Sequence, residues 1–115
     1  MSIVNLTKHT VNIFDEDKNE VATVKPSGLE ARIKTKIEKV GYLDGIPLFE
    51  TRVLGSPYVI DEAGNEEDMP GQKHGTIYIV SGIFRSNFDR EDLYQPGRLL
   101  RDNEGKVIGC VGLSR

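Results

Sequence analysis

Most hydrophobic positions of the chain fall in short runs or period-2 patterns that are typical of β-strands. Between residues 31 and 38, Ala, Ile, Thr and Ile alternate with Arg, Lys, Lys and Glu, which predicts a half-buried strand. The Asp44-Gly45 pair is a strong hairpin turn, so the next apolar run is expected to pair back antiparallel. Arg52 could then extend a positive stripe. The simpler interpretation is a solvated sheet face on which Glu38 and Glu50 balance the charge.

The N-terminal part of the chain contains three further short apolar runs. Ile3–Leu6 and Val11–Phe14 flank the polar segment Thr7–Thr10, which predicts a first hairpin. Val21–Val24 predicts a third strand, and Pro26-Ser27-Gly28 ends it. We expect these strands to belong to a small antiparallel sheet.

The last third of the chain begins with an apolar strand and continues into short helical segments. Thr76–Val80 is fully apolar and predicts a central strand. Ser81 is a suitable N-cap for a short helix over Gly82–Phe88. Asp89 could cap a second brief helical turn over Arg90–Tyr94.

The C-terminus predicts a last hairpin, in which Arg98–Arg101 and Lys106–Leu113 flank the turn Asp102–Gly105. Residues Asp61–His74 are rich in charged residues, glycine and proline, which predicts an exposed loop. The expected fold is therefore α+β, a mainly antiparallel sheet with one or two short helices near the C-terminal end. A length of 115 residues predicts a single domain over 1–115.

Composition narrows the class of protein. The net charge of −3 argues against a general nucleic-acid coat, and a single cysteine, Cys110, excludes an internal disulfide. No apolar run approaches the ~18–20 residues of a membrane span, and the N-terminus lacks the pattern of a signal peptide. We expect a cytoplasmic protein with no membrane, DNA or RNA partner.

The candidate chemistry is the binding of an anion. Arginine forks, an aromatic ring and amides are the groups that an anionic nucleotide needs from a protein. The junction after the central strand offers backbone N–H groups and a hydroxyl. The candidate ligand-binding residues are Ser81, Phe84, Arg85, Asn87, Arg90, Asp92, Arg98 and Arg101.

Each candidate also has a purely structural interpretation. Ser81 could only cap a helix, Phe84 could belong to the core, and Arg90 could only pair with Asp92. Arg98 and Arg101 are three residues apart on a predicted strand, so they would face opposite sides of the sheet. At least one of the two should face away from any given pocket.

Other chemistries find little support in the sequence. Asp15–Pro26 begins like a calcium-binding loop but has Glu20 where glycine is required. His9 and His74 are far apart in the chain, and Cys110 lies on a predicted buried strand, so no metal or cofactor is expected. No nucleophile with its base stands out, which predicts a protein that is not an enzyme.

Several short blocks together resemble a known family. They are Ile3-Val4-Asn5-Leu6-Thr7-Lys8-His9-Thr10-Val11, Ser27-Gly28-Leu29-Glu30-Ala31-Arg32, Gly75–Ser81, Arg90-Glu91-Asp92-Leu93, Pro96-Gly97 and Arg101–Gly105. In this order they resemble the type 1 anti-Thoeris sponge proteins of bacteriophages. The sequence departs from that pattern at Lys8, where the family usually has proline, and at Glu91, where it often has an amide. The segment Gly82–Arg85 is also bulkier than in the family.

The resemblance implies a viral anti-defence protein that sequesters an immune second messenger without cleaving it. The implied ligands are cyclic ADP-ribose isomers, with cyclic trinucleotides of a second defence system, CBASS, at a separate site. The implied assembly is a homo-oligomer, at least a dimer and in the family a hexamer built from dimers. Carried over by position, the ligand contacts would be Phe84, Arg90, Glu91 and Asp92, together with Arg98 or Arg101.

Three rival functions remain open. One is an enzyme that cleaves a cyclic nucleotide, with His9 as its general base. The second is an inhibitor that blocks a host enzyme by protein–protein contact, and the third is a structural component of the phage particle.

Overall fold

The structure is a computed structural model that describes all 115 residues. It is mostly β, with 58% of residues in strands and 5% in helix. The elements are β1 (Ser2–Asn5), β2 (Val11–Phe14), β3 (Glu20–Val24), β4 (Glu30–Leu43), β5 (Ile46–Ile60), β6 (Glu66–Asp68), β7 (Thr76–Ile79), α1 (Gly82–Asn87), β8 (Leu93–Arg101) and β9 (Val107–Ser114). The predicted α+β class is therefore wrong, because the single helix has only six residues and everything else that is regular is strand.

Six strands form one mixed sheet in the order β1-β7-β8-β9-β2-β3. The predicted first hairpin is wrong: β1 pairs with β7 in parallel, and β2 pairs instead with β3. The β7–β8 and β2–β9 pairs are also parallel, so the sheet is less antiparallel than expected. Parallel pairs need long crossovers rather than tight turns, which explains why no local turn signal announces them.

The outer strands of this sheet meet, so that it forms a nearly closed barrel. Asn5, at the end of β1, forms a bridge with Pro26, just beyond β3. The Asn5 carbonyl accepts hydrogen bonds from the Ser27 N–H (3.0 Å) and the Ser27 hydroxyl (2.7 Å). The buried Asn5 amide donates to the carbonyls of Val24 (3.0 Å) and His9 (2.7 Å). These contacts join the two edge strands of the sheet, β1 and β3, at one end.

Strand β7 lies between two hydrophobic clusters, which explains its uninterrupted apolar sequence. On one side, Tyr78 and Val80 join a cluster that contains Phe84 of α1, Ala31 of β4 and residues of neighbouring elements. On the other side, Ile79 packs with residues of β2 and β9: Val11, Ile13 and Cys110. The predictions of a central strand at 76–80 and of a small buried core residue at Cys110 are confirmed.

The second sheet, in the order β4-β5-β6, is dominated by one long hairpin. The predicted strand at 31–38 and its Asp44-Gly45 turn are confirmed, and both strands extend well beyond the predicted bounds. Only the base of this hairpin packs on the barrel. The radius of gyration is 16.8 Å, whereas a compact domain of this length has about 13 Å, because the rest of the hairpin projects as an arm.

The C-terminal third follows the prediction in part. Ser81 caps α1, with its hydroxyl accepting the Phe84 N–H at 3.1 Å, and the β8–β9 hairpin forms around Asp102–Gly105. The second helical turn over Arg90–Tyr94 is wrong, because strand β8 already begins at Leu93, where it pairs with β7. The predicted loop at 61–74 contains the short strand β6. No helix is long and apolar enough to span a membrane.

Candidate functional site

Two of the predicted arginines are engaged within the protein. Arg90 makes a two-pronged contact with Asp92, at 2.6 and 3.0 Å, and its guanidinium lies 5.8 Å from the centre of the Tyr78 ring. Arg85 pairs with Asp89 at 2.9 Å and donates to the Leu93 carbonyl at 3.3 Å. Both arginine side chains are largely buried. These contacts fix the chain between α1 and β8, which supports a structural interpretation of Arg85, Arg90 and Asp92.

Two other candidates are also occupied by internal contacts. Phe84 is only 2% exposed and packs edge-to-face against Phe88, with ring centres 5.8 Å apart. In this conformation the Phe84 ring offers no face on which a base could stack. The Asn87 amide donates to the Ile83 carbonyl at 2.9 Å and closes the last turn of α1.

Three arginines are free of carboxylate partners, and all three belong to the β8–β9 hairpin and its end. Of the seven arginines in the chain, Arg32, Arg52, Arg85 and Arg90 form ion pairs. Arg98 and Arg101 are exposed, and the Arg101 guanidinium contacts only the Gly105 carbonyl, at 2.9 Å. Arg115 lies over the Tyr94 ring at 5.7 Å. The hairpin therefore presents guanidinium charge that the protein itself does not neutralise.

An apolar cavity of about 380 Å³ lies beside this hairpin. One wall is formed by the segments that follow the carboxyl ends of the parallel strands β1 and β7. They contribute Thr7, His9, Thr10, Ser81 and Gly82. The opposite wall comes from the β8–β9 hairpin and β2: Pro96, Leu99, Val107, Ile108, Gly109, Cys110, Val11 and Asn12. The cavity thus combines an apolar wall with hydroxyl and imidazole groups, a composition typical of small-molecule sites.

Arg101 is the free arginine whose position relates to this cavity. Its cross-strand partner is Val107, next to a β-bulge between Leu100 and Arg101. Val107 lines the cavity, so the backbone of Arg101 lies beside the cavity wall. Arg98 pairs with Val111, which does not line the cavity. A β-bulge between Leu100 and Arg101 interrupts the pairing, so the opposite orientation of the two arginines stays a prediction.

Sequence reasoning missed the apolar wall. Leu99, Val107 and Ile108 are 56%, 43% and 38% exposed although they lie on strands. Apolar residues on a strand predict a buried sheet face. The sequence did not indicate that these three side chains would stay exposed. The signal that could have located the cavity is indirect, since only the pairing of β1 with β7 brings His9 and Ser81 together.

A second cavity of about 330 Å³ lies at the base of the arm and is charged. Its charged side chains are Lys8, Glu30, Arg32, Asp61 and Glu62. A hydrogen bond to Glu30 at 3.0 Å raises the pKa of the Arg32 guanidinium. Backbone hydrogen bonds, first from the Asn65 N–H, lower the pKa of Asp61. Glu30 pairs with both Lys8 and Arg32, so these charges largely satisfy one another.

No known protein family, curated protein or solved structure matches this chain. The resemblance to anti-Thoeris sponge proteins therefore stays a prediction that rests on the short motifs.

Proposed function

We propose that the protein binds an anionic cyclic nucleotide and holds it without cleaving it. The ligand class is that of cyclic ADP-ribose isomers, with cyclic trinucleotides as a second class. Such a protein would act for a phage in the cytoplasm of its bacterial host, as a stoichiometric sponge for an immune signal. As the resemblance implies, the capturing unit in this proposal is an oligomer.

The observation that carries this proposal is the placement of Arg101. A phosphate must be desolvated to bind, and a guanidinium that is free of carboxylates can replace its water with charge-assisted hydrogen bonds. Arg101 combines this property with a position beside Val107, which lines the apolar cavity. Arg85 and Arg90 have no such free guanidinium, because an incoming phosphate would have to compete with Asp89 and Asp92 for them.

In this proposal the cavity and the arginines would bind different parts of the ligand. A flat base would lie against Leu99 and Ile108, with the Ser81 hydroxyl and polar groups of the 7–12 segment at its edge. The phosphates would lie over the hairpin arginines. Ligand pockets commonly have ~300–1,000 Å³, so a cavity of about 380 Å³ would cover only part of a molecule with two phosphates. A second copy could supply the remaining cover.

A second candidate function is hydrolysis of the same ligand. His9 lines the cavity together with Ser81, so a histidine lies near the place where the ligand would bind. In that case His9 would act as general base toward a water molecule. The two candidates differ in one observable, which is the chemical state of the ligand after it leaves the protein.

The first experiment mixes the purified protein with cyclic ADP-ribose isomers and follows the melting temperature. A ligand that prefers the folded state raises it. The protein is then denatured and the released small molecule is identified by mass. Stabilisation with intact ligand supports the sponge, and altered ligand supports hydrolysis, which His9→Gln should then abolish. No stabilisation by any cyclic nucleotide would refute both candidates.

Variants locate the site. Arg101→Ala should weaken binding by about tenfold to a hundredfold, since a charge-assisted hydrogen bond contributes ~1.5–3 kcal/mol. Its melting temperature without ligand should change little, because the side chain is exposed. Lys106→Ala is the matched control: this exposed cation lies in the same hairpin, on the turn. If Arg101→Ala binds like wild type, the assignment of this cavity is wrong.

A further inference from the structure

The projecting arm has two faces of opposite character. Residues that pair across β4 and β5 share a face, and every second pair belongs to what we name the apolar face: Thr35 with Val53, Ile37 with Thr51, and Lys39 with Phe49. The pairs that alternate with these define the charged face: Lys34 with Leu54, Lys36 with Arg52, and Glu38 with Glu50.

Most charges of the charged face are paired within one copy of the chain. Arg52 pairs with Glu38 and, at 3.7 Å, with Glu50, and Lys34 pairs with Glu66 at 3.4 Å. The simpler interpretation of the basic residues, a balanced and solvated sheet face, is the one that this geometry supports.

The apolar face is uncovered. Ile37 is 71% exposed, Phe49 is 60% exposed and Val53 is 41% exposed. Alternation along β4 places Ala31 and Ile33 on the same side, and both pack in the hydrophobic cluster at the base of the arm. The apolar face is therefore the continuation of a buried sheet face beyond the edge of the barrel.

A hairpin that packs against nothing else has little stability of its own. Two-stranded ribbons are at best marginally stable in water, and a monomer rarely exposes a large contiguous apolar patch. The ten residues of β4 from Lys34 to Leu43, which lie opposite Ile46–Leu54 of β5, make the uncovered part ~33 Å long. Packing this face against a second copy would remove its exposed apolar side chains from water in both copies.

We propose that the apolar face packs against the same face of a second copy, with the two arms antiparallel. Charge decides the direction. Lys39, near the tip, is the only charged residue of the apolar face, so parallel arms would bring two lysines together. Antiparallel arms separate them and direct each toward the base of the other arm. There Glu67, the cross-strand partner of Val59, lies on the same side, is exposed and has no ion pair.

The arrangement is a two-fold contact of two sheets, which is the commonest symmetry of soluble oligomers. It concerns assembly alone, so it holds whether or not the ligand is a cyclic nucleotide.

The chain offers a matched pair of variants to test this interface. Val53 and Leu54 are adjacent on β5, are 41% and 47% exposed, and face opposite sides of the arm. Sedimentation velocity over a range of concentrations should show a wild-type dimer. Val53→Lys should weaken it by at least about tenfold, since a buried, unpaired charge costs several kcal/mol. Leu54→Lys should leave it unchanged. Ile37→Lys serves as a second variant if Val53→Lys does not fold.

A charge reversal tests the direction of packing. Lys39→Glu should weaken the dimer, and adding Glu67→Lys should restore it. The proposal is overturned by a wild-type chain that is monomeric at all concentrations, by assembly that survives both Val53→Lys and Ile37→Lys, or by equal losses in Val53→Lys and Leu54→Lys. Assembly without rescue by Glu67→Lys would overturn the antiparallel arrangement.

Discussion

Single residues stabilise the contact between the edge strands of the barrel and the turns of this fold, and Asn5 is the clearest example. Its side chain donates to the carbonyls of His9 and of Val24, which lies at the end of the other edge strand, β3. Its carbonyl and side-chain oxygens accept from Ser27 and Thr7. The Asn5-Leu6-Thr7 motif, which has the pattern of a glycosylation site, is thus a structural clamp. The residue type follows from the need for both donors and acceptors at one buried position.

Asn5→Asp should destabilise the protein by about 3 kcal/mol or more, because a carboxylate would face two carbonyls with no donor to offer. The measurement is urea unfolding followed by circular dichroism. Asn103→Asp is the control, since that side chain is exposed on the last hairpin turn. Equal stability of Asn5→Asp and wild type would contradict the role of the clamp.

Three turns of the protein share one design at the residue level. In each, an aspartate side chain accepts the N–H groups two and four residues later: Asp15, Asp61 and Asp102. The third residue after each aspartate has a positive φ: Lys18 (66°), Gly64 (90°) and Gly105 (83°). Lys18 is the exception, because L-residues other than glycine are strained there.

Lys18→Gly should therefore stabilise the protein. Relief of ~1–2 kcal/mol of left-handed strain outweighs the ~0.5–1 kcal/mol that glycine costs in chain entropy, which leaves a net gain of about 0.5 kcal/mol. Gly105→Lys is the reverse change at the equivalent position and should destabilise the protein. Thermal melts of both variants test this, and a lower melting temperature for Lys18→Gly would contradict it.

The hydrogen bonds to Asp61 in its turn predict that the stability of the protein falls at acid pH. Hydrogen bonds from the Asn65 N–H and its neighbours lower the folded-state pKa of Asp61, so the carboxylate stabilises the fold above its unfolded pKa of ~3.9. This contribution is lost as the pH falls from there through the lowered pKa. Asp61→Asn should flatten the stability profile in that window, whereas Glu62→Gln should not. Unfolding midpoints measured from pH 6 to pH 2 would show the difference.

At the scale of elements, the segment between α1 and β8 is fixed by charge rather than by regular structure. Arg90 is held between the Asp92 carboxylate and the Tyr78 ring, and Arg85 ties the last turn of α1 to Asp89. Arg85, Arg90 and Asp92, which the sequence suggested as ligand-binding residues, therefore have partners within the protein. The β8–β9 hairpin has no such partners for its arginines, which is why the candidate site shifts to it.

Asp92→Ala should lower the stability by about 2 kcal/mol, since it leaves a largely buried guanidinium without its carboxylate. Glu91→Ala, at the exposed neighbouring position, should change it by less than ~0.5 kcal/mol. Chemical denaturation compares the two. If Asp92→Ala kept full stability and lost ligand binding, Asp92 would belong to the site rather than to the fold.

At the scale of the whole molecule, the barrel and the arm have different roles. Both hydrophobic clusters lie in the barrel and at the base of the arm, and neither includes a residue between 34 and 58. The outer arm therefore contributes surface rather than core. We therefore expect the barrel to keep its stability when the outer arm is shortened.

A shortened arm tests this division. Removing Lys36–Lys39 and Phe49–Arg52 deletes four complete cross-strand pairs and keeps the alternation and the Asp44-Gly45 turn. At concentrations where the wild-type chain is monomeric, the shortened protein should unfold cooperatively at a similar temperature. It should not assemble at any concentration. Loss of cooperative unfolding would show that the arm is needed for the barrel.

The sequence alone determined the features that depend on neighbours in the chain. The Asp44-Gly45 and Asp102–Gly105 turns, the Ser81 cap and the apolar strand at 76–80 were predictable, because turn chemistry, capping and periodicity act within a few residues.

Tertiary structure decided the rest. The pairing of β1 with β7 joins segments about seventy residues apart and has no local signal, so the barrel, its cavity and the loss of the predicted first hairpin could not be foreseen. A hydrophobic pattern predicts that a sheet face is covered but does not identify what covers it. For this reason the sequence did not predict that the β4–β5 hairpin projects as an arm. Whether an arginine is free or paired depends on which carboxylates folding brings near it, and this alone separates Arg101 from Arg90.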